Sequence, residues 1–190
     1  MGENENAVVR YRLDAQQSRF TVQAFAEGLF SSFGHDPVIG IRDFAGEGEY
    51  VPGTLEGAKL RMTIKSDSLA VVDKAAEKDR AEIERMMREQ VLETARYPEI
   101  VFESTSITAS PLSGGRYRVR VIGDLTLHGV TNKSLWIQAE VKPDGDSLRA
   151  QGEFTLKQTD YQIKPVSVAG GTLKVKIELK FSFDIVASKQ

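Results

Sequence analysis

Leu173-Lys174-Val175-Lys176-Ile177-Glu178-Leu179-Lys180-Phe181-Ser182-Phe183-Asp184-Ile185-Val186-Ala187 is the stretch whose reading decides the fold. Every odd position is apolar, and every even position up to Asp184 is charged or hydroxylated. A strand sends successive side chains to opposite faces, so a period of two describes a sheet that is buried on one side and wet on the other. A helix face repeats every 3.6 residues and cannot produce this order. The alternation predicts one long strand from Leu173 to Ala187.

The same period recurs toward the N-terminus. Leu148, Ala150, Gly152, Phe154 and Leu156 share one parity, as do Leu135, Ile137, Ala139 and Val141. Pro143-Asp144-Gly145-Asp146 lies between these runs as turn chemistry, which predicts a hairpin. Tyr117, Val119, Val121, Leu125 and Leu127 form another row, interrupted by Gly123. Ile100 and Phe102 begin a strand that closes at Ser113-Gly114-Gly115. Earlier rows are Phe20, Val22, Ala24 and Ala26, then Phe44, Gly46, Gly48 and Tyr50, then Ala58, Leu60, Met62 and Ile64.

This predicts an all-β fold of about eight antiparallel strands. Both a sandwich and a barrel satisfy the pattern, and two arguments favour an extended, lipocalin-like barrel. Strands of roughly 12 to 15 residues exceed the usual range of about 3 to 10. Closure also removes the edges that such strands would expose. Glycines on the apolar face, at Gly46, Gly48, Gly123 and Gly152, serve either sharp strand bends or space for a ligand. One segment departs from the pattern: from Asp79 to Thr94, Ile83, Met86, Met87, Gln90 and Val91 fall at helical spacing. This predicts one inserted amphipathic helix, with Asp79 as N-cap and Pro98 beyond its end. The expected organisation is a flexible N-terminus over residues 1–10 and a single barrel domain over 11–187.

Composition narrows the function. The 25 basic and 27 acidic residues give a net charge of -2 with no block of like charge, so nucleic acid is not an expected partner. Without cysteine there is no disulfide, thiolate metal site or thiol nucleophile. No apolar run approaches the ~20 residues of a membrane-spanning helix, and the first ten residues lack the apolar core of a signal peptide. A cytoplasmic location is expected, or a periplasmic one if a leader has been removed.

Catalytic apparatus is sparse. The two histidines, His35 and His128, show no metal-ligand spacing and no nucleophile elbow, and they read as a turn contact and a surface residue. No metal, cofactor or enzymatic activity is expected. What remains is the interior, and an eight-stranded barrel can enclose one small ligand. The candidate lining is Phe20, Val22, Ala24 and Phe44 from the early strands, and Met62, Ile64 and Phe102 from the middle ones. Leu125, Leu127, Phe154, Leu156 and Phe181 come from the late strands, with Met86 and Met87 from the helix.

Several ordered motifs add a resemblance. Tyr11-Arg12-Leu13-Asp14 precedes Ser18-Arg19-Phe20, then Phe44-Ala45-Gly46, then Tyr97-Pro98-Glu99-Ile100-Val101-Phe102-Glu103-Ser104. The most specific is Gly123-Asp124-Leu125-Thr126-Leu127-His128-Gly129-Val130-Thr131. Gly152-Glu153-Phe154-Thr155-Leu156 and Asp160-Tyr161-Gln162-Ile163 complete the set. In this order the motifs resemble the YceI family of lipid- or polyisoprenoid-binding proteins. Gln17 stands where many members carry His, Gln162 stands where Gly is usual, and Phe33-Gly34-His35-Asp36-Pro37 also differs, which marks a divergent subgroup. The resemblance implies a lipocalin-like barrel with a long apolar channel and a helical segment near its mouth. The expected function is a carrier or sequestering protein for an isoprenoid or other long-chain lipid. The alternative is a structural or interaction module, for instance a homodimer, with a filled core.

Overall fold

The computed structural model describes residues 7–27, 36–51, 54–168, 170 and 173–190. Eight long strands close on themselves: β1 (Val9–Gln23), β4 (Phe44–Val51), β5 (Thr54–Lys65), β7 (Glu99–Pro111), β8 (Tyr117–Leu127), β9 (Val130–Asp144), β10 (Ser147–Lys157) and β13 (Glu178–Lys189). Each is antiparallel to its neighbours in the order β1-β4-β5-β7-β8-β9-β10-β13, and the pairing of β13 with β1 completes the circle. These are the eight rows of alternation in the sequence.

Short elements complete the architecture. β3 (Val38–Ile41) pairs with the second half of β1 and carries β6 (Leu69–Val71) on its other side. β2 (Ala26–Glu27), β11 (Ser167–Val168) and β12 (Leu173–Val175) form a separate three-stranded sheet. The run from Leu173 to Ala187 is therefore two strands rather than one. Between them the Lys176 amide donates to the Phe25 carbonyl and the Gln158 amide donates to the Ile177 carbonyl. The chain leaves the barrel there to pair with β2, and Ile177, read as interior, is 46% exposed.

β1 begins at Val9, and Val9 and Arg10 pair with Tyr50 and Glu49 of β4. Its alternation changes phase part-way. Tyr11 and Leu13 face inward on odd positions and Phe20 and Val22 on even ones, because the register with β13 breaks between Asp14 and Arg19. The motif residues build this bulge. The Asp14 carboxylate accepts from the Gln16 and Gln17 amides, and Ser18 Oγ donates to the Asp14 carbonyl while accepting from the Val186 amide. Hydrogen bonds from the Gln17 side chain and amide, with that of Gln16, hold the Asp14 carboxyl below its ordinary range. Gln17 thus braces the bulge.

The inserted helix α1 (Glu77–Met86) runs on into a π-helical turn, Met87–Val91. The N-cap is Ala76 rather than Asp79, which sits in the first turn and there complements the helix dipole. Glu84 accepts from the Val71 amide, so the helix satisfies part of the free edge of β6, and Arg88 holds Glu84 from the next turn.

Candidate ligand-binding cavity

A dry barrel core packs at crystal-like density, with few voids larger than a water molecule. This interior is different: a cavity of about 1440 Å³ occupies it. Ligand pockets usually span ~300–1,000 Å³, so the space is large. Its wall runs along β8 from Leu127 to Tyr117, ten residue steps. At ~3.3 Å per residue and a tilt near 40°, that is roughly 25 Å along the barrel axis.

One end is closed by the helix. Ile83, Met86, Met87, Val91 and Leu92 face the cavity there, above Ile100 and Leu127. The π-helical turn carries the Leu92 amide to the Met87 carbonyl, one residue further than an α-helical bond, and buries Met87. Unbranched methionine thioethers suit an adaptable apolar wall.

Thirteen of the fourteen candidate lining residues face this cavity. Phe20, Val22 and Ala24 come from the β1 side, and Met62, Ile64 and Phe102 from β5 and β7. Leu125, Leu127, Phe154, Leu156 and Phe181 belong to β8, β10 and β13, and Met86 and Met87 to the helical cover. Phe44 is the exception. It is 4% exposed and packs edge-on against Phe20, ring centroids 6.1 Å apart, behind the cavity wall. Parity alone placed it inside, but at the end of β4 inside means packed core.

The four glycines of the apolar face divide. A Cβ at Gly46 would lie 2.8 Å from the Arg61 carbonyl and about 3 Å from Leu13, one at Gly123 would meet the Phe102 ring, and one at Gly152 the Phe183 ring. These three glycines are places where neighbouring side chains lie against backbone. At Gly48 the nearest atom is the Lys59 carbonyl at 3.8 Å, so this glycine leaves cavity open.

At the end away from the helix, Tyr11, Tyr50 and Tyr117 face the cavity; Tyr50 and Tyr117 belong to the alternating rows, and none of the three is among the candidate lining residues. The rings of Tyr11 and Tyr50 stack 6.3 Å apart at 14°. Burial and then the neighbouring Tyr11 push the Tyr50 phenol up.

His128 is an internal brace, not a surface residue. At positive φ (53°) in the turn between β8 and β9, its Nδ1 lies 3.2 Å from the Tyr161 carbonyl and its Nε2 2.5 Å from Glu93 Oε2. A carbonyl only accepts, so Nδ1 donates to Tyr161 and Nε2 faces the Glu93 carboxylate. The Tyr97 ring sits 4.7 Å away and covers Gly129. The cluster ties the end of the helical segment to the barrel. Neither His128 nor Glu93 lines the cavity. His35 lies outside the described residues, and no group of three His, Cys, Asp or Glu among the described residues is arranged to hold a metal.

The YceI-like domain model matches residues 11–187. A UPF0312 protein of Pseudomonas savastanoi pv. phaseolicola is 31% identical over 173 residues, which cover 87% of this chain and 82% of the relative. The chain belongs to the YceI-like family. A UPF0312 protein of Pseudomonas putida strain W619 is 27% identical over 90% of this YceI-like chain and 84% of its own. Two solved structures share the fold at TM-score 0.67. They are BcnA of Burkholderia cenocepacia, 16% identical over 93% of this chain and 99% of that one, and a polyisoprenoid-binding domain from Saccharophagus degradans implicated in plant cell wall breakdown, 17% identical over 95% and 98%.

Proposed function

We propose that the protein binds an elongated apolar ligand, an isoprenoid or another long-chain lipid, inside the barrel and acts as its carrier or sequestering protein. The observation that carries this reading is the apolar cavity of about 1440 Å³, running from the helical cover to the tyrosine end. Enclosing a hydrocarbon there removes apolar surface from water, worth ~25 cal/mol per Å². The name of the Saccharophagus neighbour, a polyisoprenoid-binding domain, points to the same ligand class. The reading is non-enzymatic: both nitrogens of His128 are engaged by Tyr161 and Glu93, away from the cavity. A module with a filled core is disfavoured by the open volume.

Native mass spectrometry of the protein purified from cells, followed by organic extraction, tests the proposal. A stoichiometric hydrocarbon-rich adduct is expected. Its absence, together with failure of an added C20 isoprenoid to bind, would refute it.

A further inference from the structure

Ion pairs run from strand to strand over the outer wall of the barrel, among them Arg12 with Glu47, Arg61 with Glu103, Arg116 with Glu140 and Arg149 with Asp184. Among the described residues only Arg19, Arg42 and Arg118 make no such contact with a carboxylate, a backbone carbonyl or an aromatic ring. Arg118 stands opposite Glu140 on β9. The other two share one groove of about 320 Å³ on the outside of the barrel.

The strand pairing explains the groove. β1 pairs with β4 as far as Arg12 and with β3 only from Thr21, so on that side residues 13–20 have no partner strand and the wall parts into a seam. Arg42 lies in the link between β3 and β4. Thr21 stands opposite Gly40, and continuing that register sets Arg19 across from Arg42. Like charges in that relation repel, and nothing on the wall compensates them. Asp184 is the partner of Arg19 on β13, but its oxygens are taken by Arg149 and Gln151. The groove's hydroxyls are spent as well: Ser18 donates to the Asp14 carbonyl and Thr21 to the Ser182 carbonyl. The two guanidinium groups are thus its uncommitted side-chain donors. Beside them Val72 is 43% exposed, its methyl folded over Gly40, and Ala15 adds to the apolar floor.

We infer that this groove docks an acidic segment of a partner protein, with a carboxylate on the Arg19 and Arg42 forks and a neighbouring aliphatic side chain on Ala15 and Val72. A planar carboxylate matches the guanidinium fork, and the apolar floor has no donor for the further oxygens of a phosphate. Two cations on a chain of net charge -2 are too few for an anionic membrane, which takes clusters of about 4–8. Phe20 and Ile41 line both the groove and the cavity, so the partner would sit on the outer side of the cavity wall.

The test uses a fluorescently labelled peptide, acetyl-Ala-Asp-Val-Asp-Ala-amide, and its counterpart with Asn for Asp, titrated by anisotropy into the parent protein and an Arg19→Gln/Arg42→Gln variant. The acidic peptide is expected to bind the parent, and to bind the variant about tenfold more weakly, as loss of charge-assisted hydrogen bonds requires. The Asn peptide should be weaker on the parent by a similar factor. The variant should resist urea as well as the parent or better, because a like-charge pair is gone, and should bind squalene unchanged, because neither arginine lines the cavity. Equal affinity of the acidic peptide for parent and folded variant, or of the two peptides for the parent, would overturn the inference. Displacement of the peptide by an equal concentration of inorganic phosphate would assign the groove to free oxyanions, and arginine-dependent sedimentation with phosphatidylserine vesicles would assign it to a membrane; either result also overturns it. Should the double variant not fold, Arg42→Gln alone is expected to cost the acidic peptide roughly threefold, and no change there would count as refutation.

Discussion

Gly48→Phe separates an open cavity from a packed core. The position faces the cavity, its backbone φ suits any residue, and a Cβ there meets nothing closer than the Lys59 carbonyl at 3.8 Å. A phenyl ring would project into the space and take the room of about five methylenes. At ~0.8 kcal/mol per buried methylene, that is about 4 kcal/mol of lost ligand burial. The full amount would be about a thousandfold in affinity, and a chain that bends past the ring recovers part of it, so squalene should weaken by roughly 100- to 1,000-fold. A hydrocarbon too short to span from the helical cover to β4 should bind unchanged. The fold itself should be as stable as the parent or more so, since phenylalanine favours strands where glycine does not. Gly152→Ala is the contrast: its Cβ would sit 2.4 Å from the Gln138 carbonyl and 2.6 Å from the Phe183 ring. That overpacking should cost about 1–3 kcal/mol in urea unfolding, with no dependence of binding on chain length. Undiminished squalene affinity in a folded Gly48→Phe protein would refute the reading of this space as the ligand's.

Three further outcomes follow from the geometry. Gln162, exposed and left-handed (φ 57°) after the turn Gln158–Tyr161, should give way to glycine with a gain of about 0.5–1 kcal/mol in chemical denaturation, because glycine removes the strain at some cost in unfolded-state entropy. Burial first, then Asp160, pushes the Tyr161 phenol up to about 12 from 10.0. Between those values the folded state binds more protons than the unfolded one, so stability present below pH 10 is lost as pH rises toward 12, by roughly 3 kcal/mol. Tyr161→Phe should flatten this alkaline loss in urea midpoints measured at pH 8, 10 and 11.5. Arg149, with Gln151, holds the Asp184 carboxyl below 3.8, so its contribution is present above that value and lost as pH falls through the lower folded value. Acid unfolding of Asp184→Asn should be correspondingly shallower.

Which parts of this molecule were legible in the sequence follows from the range of each interaction. The strands β8 and β10 obey a local rule, alternation, and stand where that rule puts them, whereas β7 changes phase at the register shift between Ser104 and Ser106 and β9 at the one opposite Gly123 and Leu125. β1 obeys it in two phases, and the bulge that joins them depends on Asp14 holding the Gln16 and Gln17 amides and on Ser18 reaching the Val186 amide of β13, a contact that no short window contains. The break at Lys176–Ile177 is of the same kind: continuous alternation cannot show that the chain turns aside to pair with β2. The glycines make the point most sharply. Gly46, Gly48 and Gly152 are indistinguishable by parity and neighbours in sequence, yet Leu13 fills the space above one, Phe183 that above another, and Gly48 alone of the three opens to the cavity. Whether a barrel is a core or a container is thus decided by which large side chains fold back over which small ones across the sheet. Tyr11, Tyr50 and Tyr117 sit on three separate strands, and closure of the barrel at one end brings them together.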